Sequence, residues 1–120
     1  MKRKELGYAG EERAAEYLEK KGYRVISRNY TVRGGEIDLV VCDRRSLVFV
    51  EVKTRTDERF GRAAEAVDAR KISRMVKAAE HFLYENGERY ESSSKNIRFD
   101  VIEVYTSDDR LVHIPNIEIQ

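Results

Sequence analysis

Two apolar, β-branched runs, Glu36–Cys42 and Leu47–Thr54, flank a short polar stretch, Asp43-Arg44-Arg45-Ser46. Runs of this length around such a stretch predict an antiparallel hairpin. A turn at Arg44-Arg45, or one spanning Asp43 to Ser46, gives the same register, in which opposed residue numbers sum to 89. Glu36 then faces Lys53, Asp38 faces Glu51, Val40 faces Phe49 and Cys42 faces Leu47. Alternation puts all eight on one face of the sheet. Ile37, Leu39, Val41, Val48, Val50 and Val52 take the other, wholly apolar face. The first face is split, apolar toward the turn and charged at the far end. Directly opposed like charges, with Cβ atoms ~4.5–5.5 Å apart, destabilise a strand pair. Two such carboxylates share a proton, find a cation or bind a metal. A salt-bridge network of Glu36, Asp38, Glu51 and Lys53 is one resolution, and a metal site is another.

The rest of the chain surrounds this hairpin with helices and further strands. Gly7 to Lys21 reads as an amphipathic helix ended by Gly22, and Tyr23 to Tyr30 as a strand. Gly34-Gly35 is a turn signal and Thr56 to Gly61 a polar loop. A second helix is expected from Ala63 or Asp68 to Glu85, with Asn86-Gly87 as its cap. Glu88 to Lys95 reads as a linker, Asn96–Tyr105 as a strand, Asp108-Asp109 as a turn, and Leu111–Ile119 as a terminal strand or tail. The predicted order is α-β-β-β-α-β-β, an α/β fold with a mixed central sheet flanked by helices. At 120 residues the chain is expected to form a single domain, 1–120.

On the first helix Gly10, Ala14, Tyr17 and Leu18 form the inward stripe, and Glu12, Glu16 and Glu19 the solvated face. Glu11 lies within about 20° of Leu18 on the inward side, so it can point toward the sheet as a third carboxylate. Oxygen ligands of this kind suit Mg²⁺ or Mn²⁺, which are held by one or two carboxylates with phosphate and water completing the shell. A nearby lysine can orient an attacking water or stabilise developing charge. These parts fit metal-assisted phosphodiester hydrolysis. Other chemistries lack their signatures: there is no Gly-rich phosphate loop. Cys42 is the sole cysteine, which excludes an internal disulfide and a Cys-cluster zinc site. His81 and His113 read as ordinary helix and strand residues, and Cys42 as core. No apolar run nears the ~18 residues of a membrane span, and Met1-Lys2-Arg3-Lys4-Glu5 has no apolar signal region behind it. A cytoplasmic protein with no membrane partner is the expectation.

Asp38…Glu51-Val52-Lys53 resembles the PD-(D/E)xK signature of the restriction-endonuclease-like nucleases. The acid-x-Lys element alone is unspecific, since Glu19-Lys20-Lys21 repeats it on the first helix. Its specificity comes from an acid on the preceding strand and an inward glutamate on the first helix. That arrangement is similar to archaeal-type Holliday-junction resolvases, although Ile37 stands where the superfamily name has proline. A fuller match runs along nearly the whole chain: Gly7-x-x-Gly10-Glu11, Gly22-Tyr23, Arg28-Asn29-Tyr30, Gly35-Glu36-Ile37-Asp38-Leu39-Val40, Phe49-Val50-Glu51-Val52-Lys53-Thr54-Arg55, Phe60-Gly61, Glu65-Ala66-Val67, Lys71 and Arg98-Phe99-Asp100-Val101. In these the chain resembles the YraN-like family of small bacterial proteins classed as endonuclease-like.

The resemblance implies a restriction-endonuclease-like α-β-β-β-α-β core and a divalent-metal-dependent nuclease acting on DNA, branched or structured DNA among the candidates. It implies that Asp38, Glu51 and the backbone carbonyl of Val52 bind Mg²⁺ or Mn²⁺. Lys53 would position the hydrolytic water, and Glu11 would act on the metal through water. Glu36 would partner Lys53 or support the metal ligands from behind rather than bind the metal directly. Asp100 would be held by Arg98 or a backbone amide.

The net charge of +1 hides a division. Residues 1–77 carry 19 basic and 13 acidic side chains, net +6, and residues 78–120 carry 4 and 9, net −5. On the second helix Ile72, Met75, Val76, Ala79, Phe82 and Leu83 form the expected core face. Arg70, Arg74 and Lys77 lie opposite, with Lys71 at the border where it can reach the edge of the site. With Arg55, Arg59 and Arg62 in or beside the preceding loop, these residues form a candidate phosphate-binding stripe, and an ordinary solvated helix face is the competing reading. Two other functions stay open. One is a fold that binds nucleic acid without turnover. The other is an adaptor whose acidic C-terminal third, from Ala78 onward, docks a basic protein. Resolving a four-way junction needs two active sites, so a homodimer accompanies that substrate.

Overall fold

The computed structural model describes residues 3–56 and 69–119. The elements are α1 (Arg3–Lys20), β1 (Arg24–Val32), β2 (Gly35–Cys42), β3 (Ser46–Arg55), α2 (Ala69–Asn86), a 3₁₀ turn (Ser92–Ser94), β4 (Asn96–Tyr105) and β5 (Leu111–Ile114). The order is the one expected, and the boundaries agree within a few residues. The linker before β4 holds the short 3₁₀ turn, and only Leu111–Ile114 of the terminal stretch is strand. The proposed α2 start at Ala63 or Asp68, most of the Thr56–Gly61 loop, Arg59, Arg62, and the Phe60-Gly61 and Glu65-Ala66-Val67 motifs lie outside the described residues.

The five strands form one sheet in the order β1-β2-β3-β4-β5. β1/β2, β2/β3 and β4/β5 are antiparallel. β3/β4 is parallel over ten residues, from Ser46↔Asn96 to Arg55↔Tyr105. A parallel pair needs a long crossover, and α2 lies within it. The sheet is mixed, with one helix on each face. Ala14, Ala15 and Leu18 of α1 pack on Leu39, Val41, Val48, Val50, Ile102 and Val104. Ala78, Ala79 and Phe82 of α2 pack on Ile37, Val40, Cys42, Leu47 and Phe49. β3 is therefore covered on both sides, and every residue from Ser46 to Glu51 is buried.

Two glycines bring the helices close. A Cβ on Gly10 would fall on Thr54 Oγ1, so α1 lies against the C-terminal end of β3. A Cβ on Gly35 would stand 2.5 Å from the Arg74 carbonyl oxygen and 3.0 Å from the Ala78 nitrogen. Only a missing side chain lets α2 sink onto the start of β2 there. This contact corrects the expected α2 face. The buried residues are Met75, Ala78, Ala79 and Phe82, because the helix meets the sheet along the Arg74–Ala78 line. Ile72, Val76 and Leu83 are only half-buried, and Ile72 and Val76 line a shallow groove with Ile119.

On the α1 side, Asp100 ties three elements together. It is fully buried and accepts from Arg98 Nε at 3.0 Å, the Asn116 amide at 2.9 Å and His113 Nε2 at 2.7 Å. His113 Nδ1 lies 2.9 Å from the Tyr17 hydroxyl of α1. Both partners considered for Asp100 are present, and His113 is a third. Burial raises the Asp100 pKa, but the bonds from His113, Asn116 and Arg98 outweigh it and hold the carboxyl below its usual value of 3.8. Its contribution to stability is therefore present above pH ~4 and lost as pH falls through the lower folded-state value. Asp100→Asn is expected to cost about 3 kcal/mol in urea denaturation at neutral pH, the scale for breaking a buried ionic network. It should also flatten the loss of stability in acid. A variant as stable as wild type, with the same acid limb, would contradict this role.

Candidate active site

The β2/β3 ladder follows the expected register from Cys42↔Leu47 to Leu39↔Val50. At the next pair the strands are joined differently. Asp38 Oδ2 accepts the Val52 amide hydrogen at 2.8 Å, so a side chain takes the donor. On the other edge β1 continues to pair, with Arg28↔Leu39 and Tyr30↔Ile37. Between them Asn29 has φ 50°, a left-handed conformation in which asparagine is enriched. Both strands change faces here. Arg28 reaches Glu12 of α1 at 2.7 Å, while Tyr30 packs edge-on against Phe82 of α2. Leu39 lies in the α1 core and Ile37 in the α2 core. Ile37 was expected to share a face with Leu39. Alternation instead breaks across Asp38, opposite the left-handed Asn29, while the β1/β2 register is kept there and shifts only between Val25 and Ser27.

Glu51 is 3% exposed. Its Oε1 receives Lys71 Nζ at 3.1 Å and Lys53 Nζ at 3.4 Å, while its Oε2 is buried without a hydrogen-bond partner. The Asp38 and Glu51 carboxyls are within hydrogen-bonding reach of each other. Burial, then the charge of Glu51, push the Asp38 pKa from 3.8 up to about 8, against the opposing pull of the Val52 amide. Glu11 is also raised, first by burial, with a hydrogen bond from Asn29 opposing the shift and the charges of Glu51 and Glu36 adding to it. Burial lowers the Lys71 pKa, but Glu51, Asp38 and Glu36 together outweigh it and raise the value.

The sequence-derived residues divide as follows. Asp38, Glu51 and Lys53 converge, with Val52 giving its amide to Asp38. Glu11 stands near enough to feel Glu51, yet no three acidic, histidine or cysteine side chains among the described residues converge to hold a metal. The ammonium at Glu36 is that of Lys71, at 3.4 Å, not the expected Lys53. The register that would oppose Glu36 and Lys53 is not continued past Leu39↔Val50. Lys71 thus sits inside the site. Arg55 runs toward buried Glu103, with Nε 3.9 Å from Oε2; its Nε and Nη2 are buried without hydrogen-bond partners. Arg70 and Lys77 are exposed and Arg74 half-buried. Lys77 lies over Gly34, at the turn that leads into Glu36. Asn29 was missed as a contributor to the site. It stood in a recognised motif, but its φ cannot be read from a strand-like stretch.

Four acids, Glu11, Glu36, Asp38 and Glu51, surround two ammonium groups. Ionised together, they leave an excess of two negative charges. A divalent cation between Asp38 and Glu51 would remove that excess and give Glu51 Oε2 a partner. The donor set is hard oxygen from two carboxylates, the set Mg²⁺ or Mn²⁺ accepts.

The fold and this site define an α/β protein with a carboxylate–lysine centre at a parting of two strands. The chain belongs to the family described as uncharacterised protein family UPF0102, whose model matches residues 10–104, in agreement with the YraN-like resemblance. It is 48% identical over 118 residues to a UPF0102 protein of Pelotomaculum thermopropionicum, covering 95% of each chain. A UPF0102 protein of Caldanaerobacter subterraneus subsp. tengcongensis is 42% identical, over 92% of this chain and 88% of its own. One from Clostridioides difficile is 37% identical, over 97% and 98%. No helix among the described residues is long and apolar enough to cross a membrane.

Because the Asp38 pKa is raised on folding, the cation-free folded state keeps a proton that the unfolded state releases. Stability from this group is fully present below pH ~4 and declines as pH rises toward about 8. In EDTA, Asp38→Asn is expected to flatten the fall in melting temperature between about pH 5 and 8.5. An unchanged slope would show that Asp38 does not hold the proton.

Proposed function

We propose that this is a cytoplasmic, divalent-cation-dependent nuclease that hydrolyses phosphodiester bonds in DNA. The observation that carries this reading is the meeting of Asp38 with Glu51, whose Oε2 has no partner. In this reading Asp38 and Glu51 hold Mg²⁺ or Mn²⁺, with Glu11 acting through water. A cation bound there supplies Lewis-acid polarisation of a phosphate oxygen. Lys53, with a side chain 27% exposed, orients the attacking water in line with phosphorus and offsets the developing negative charge. The Asp38–Val52 bond fixes the acid against β3 beside Glu51, so no reorientation is needed when substrate arrives. Arg70, Arg74 and Lys77 supply sequence-independent contacts to neighbouring phosphates, whereas Arg55 is directed inward toward Glu103.

A second reading, a nucleic-acid-binding module without turnover, is favoured by one observation: two lysines already satisfy Glu51 Oε1. The adaptor reading is weakened. Asp100 and Glu103, two of the acids in the C-terminal third, are buried and cannot form a docking face.

The test is cleavage of single-stranded, duplex, flap and four-way DNA with Mg²⁺ or Mn²⁺. Cleavage is expected to fall by about 10²-fold or more in Lys53→Ala and in Asp38→Asn, the scale for losing one preorganised charge. Salt-sensitive binding without cleavage of any substrate would establish the second reading instead.

A further inference from the structure

Lys71 is the feature of the site that the acid-x-Lys pattern does not include. It comes from α2, across the sheet face from α1, and its Nζ bridges two acids: Glu51 at 3.1 Å and Glu36 at 3.4 Å. Burial opposes its charge, but Glu51, Asp38 and Glu36 outweigh burial and hold the ammonium protonated. Lys53 meets the same Glu51 oxygen at 3.4 Å but is tied to the same strand two residues on. Lys71 meets a second carboxylate, Glu36 on another strand, to which its ammonium can withdraw. Glu36 is about half exposed, so that position faces the solvent side of the site.

We propose that Lys71 is an exchangeable resident cation of this centre: its ammonium stands on Glu51 while the carboxyl pair lacks a divalent ion, and moves onto Glu36 and the substrate phosphate when one binds. This rests on the carboxyl pair being a cation centre, as in the nuclease reading. The physical reason is competition for one buried oxygen pair. Without any counter-charge, Glu51 would be a buried, unpaired carboxylate beside the Asp38 carboxyl, a costly state. Lys71 relieves that cost in the cation-free protein. The same contact opposes a divalent ion, and by linkage the opposition is mutual. Once displaced, the ammonium keeps Glu36 as an anchor and turns toward the side from which a phosphate approaches. Lys71 is thus a positioning residue with two stations.

Mn²⁺ affinity, followed by electron paramagnetic resonance of the free ion, reads this competition without any turnover. Lys71→Met is expected to bind Mn²⁺ roughly tenfold more tightly than wild type, within the usual range for coupled sites. Lys71→Arg retains a competing charge and should stay close to wild type. Lys20→Met, at the exposed end of α1, controls for net charge and should also stay close. In EDTA the melting temperature of Lys71→Met should fall below that of wild type, and Mn²⁺ should raise it by more. Should Lys71→Met fail to fold, ¹³Cε lysine spectra of the wild-type protein test the same point. The Lys71 signal should move with the midpoint of Mg²⁺ binding. Equal or weaker Mn²⁺ affinity in folded Lys71→Met, or a Lys71 signal unmoved while Mg²⁺ binds, would overturn the exchange. Either result would leave the nuclease reading to the cleavage assay. Tighter Mn²⁺ binding without cleavage by wild type would uphold the exchange and overturn the nuclease reading. No Mn²⁺ or Mg²⁺ binding at all would overturn both.

Discussion

Two carboxyl groups, Asp38 and Glu51, meet where β2 leaves its ladder with β3, and the surrounding charges are arranged about that meeting. Neither acid can spread its charge into water, because Glu51 is 3% exposed and burial is the chief cause of the Asp38 shift. Were both ionised about 4 Å apart, their repulsion would be several kcal/mol even at an effective dielectric constant near 20, and without a cation Asp38 holds its proton up to about pH 8. The structure answers it with one backbone donor, the Val52 amide, and two ammonium groups, Lys53 and Lys71. That answer is incomplete, since one oxygen of Glu51 has no partner. A site that is adequately but not fully compensated is suited to accept one more cation.

The rest of the fold delivers the partners. Gly10 lets α1 lie against Thr54, three positions beyond Glu51 and next to Lys53, which brings Glu11 within the field of Glu51. Gly35 lets α2 settle on the start of β2, and Lys71 then reaches Glu36 and Glu51 from one turn earlier on that helix. The Asp100–His113–Tyr17 chain ties β4, β5 and α1 together behind the sheet. It anchors the face opposite α2 and takes no part in the carboxyl pair. Each close approach thus connects a backbone position without a side chain to a charge placed in the site.

Much of this was legible because strand periodicity is strict. A period of two and a four-residue polar turn suffice to oppose Val40 with Phe49 and Cys42 with Leu47, and the same arithmetic puts Asp38 beside Glu51. The register argument fails at Asp38 itself. There the left-handed Asn29 shifts the alternation of β1 and β2 together, which moves Ile37 to the α2 face. A conformation of one residue in the partner strand leaves no trace in the hydrophobic pattern of β2. The helix α2 shows a related limit. Its apolar arc could be counted, but the line of closest approach was set by Gly35 on a different element, so Ala78 is buried and Ile72 and Val76 are not. Lys71 was placed at the border of the site by its angle on the helix. Only the depth of the Gly35 contact brings it onto Glu51, in place of the Glu36–Lys53 pair that the unbroken register implied. Charge totals were the least informative quantity, because the −5 of residues 78–120 includes Asp100 and Glu103, both inside the protein.

The central claim is that the Asp38–Glu51 pair is a seat for a divalent cation. Anomalous diffraction from crystals soaked in Mn²⁺ addresses it directly. A single strong peak is expected between the two carboxyls, ~2.1 Å from an oxygen of each, with the Lys71 ammonium moved off Glu51. Crystals at saturating Mn²⁺ with no peak there, and with Lys71 still seated on Glu51, would contradict it.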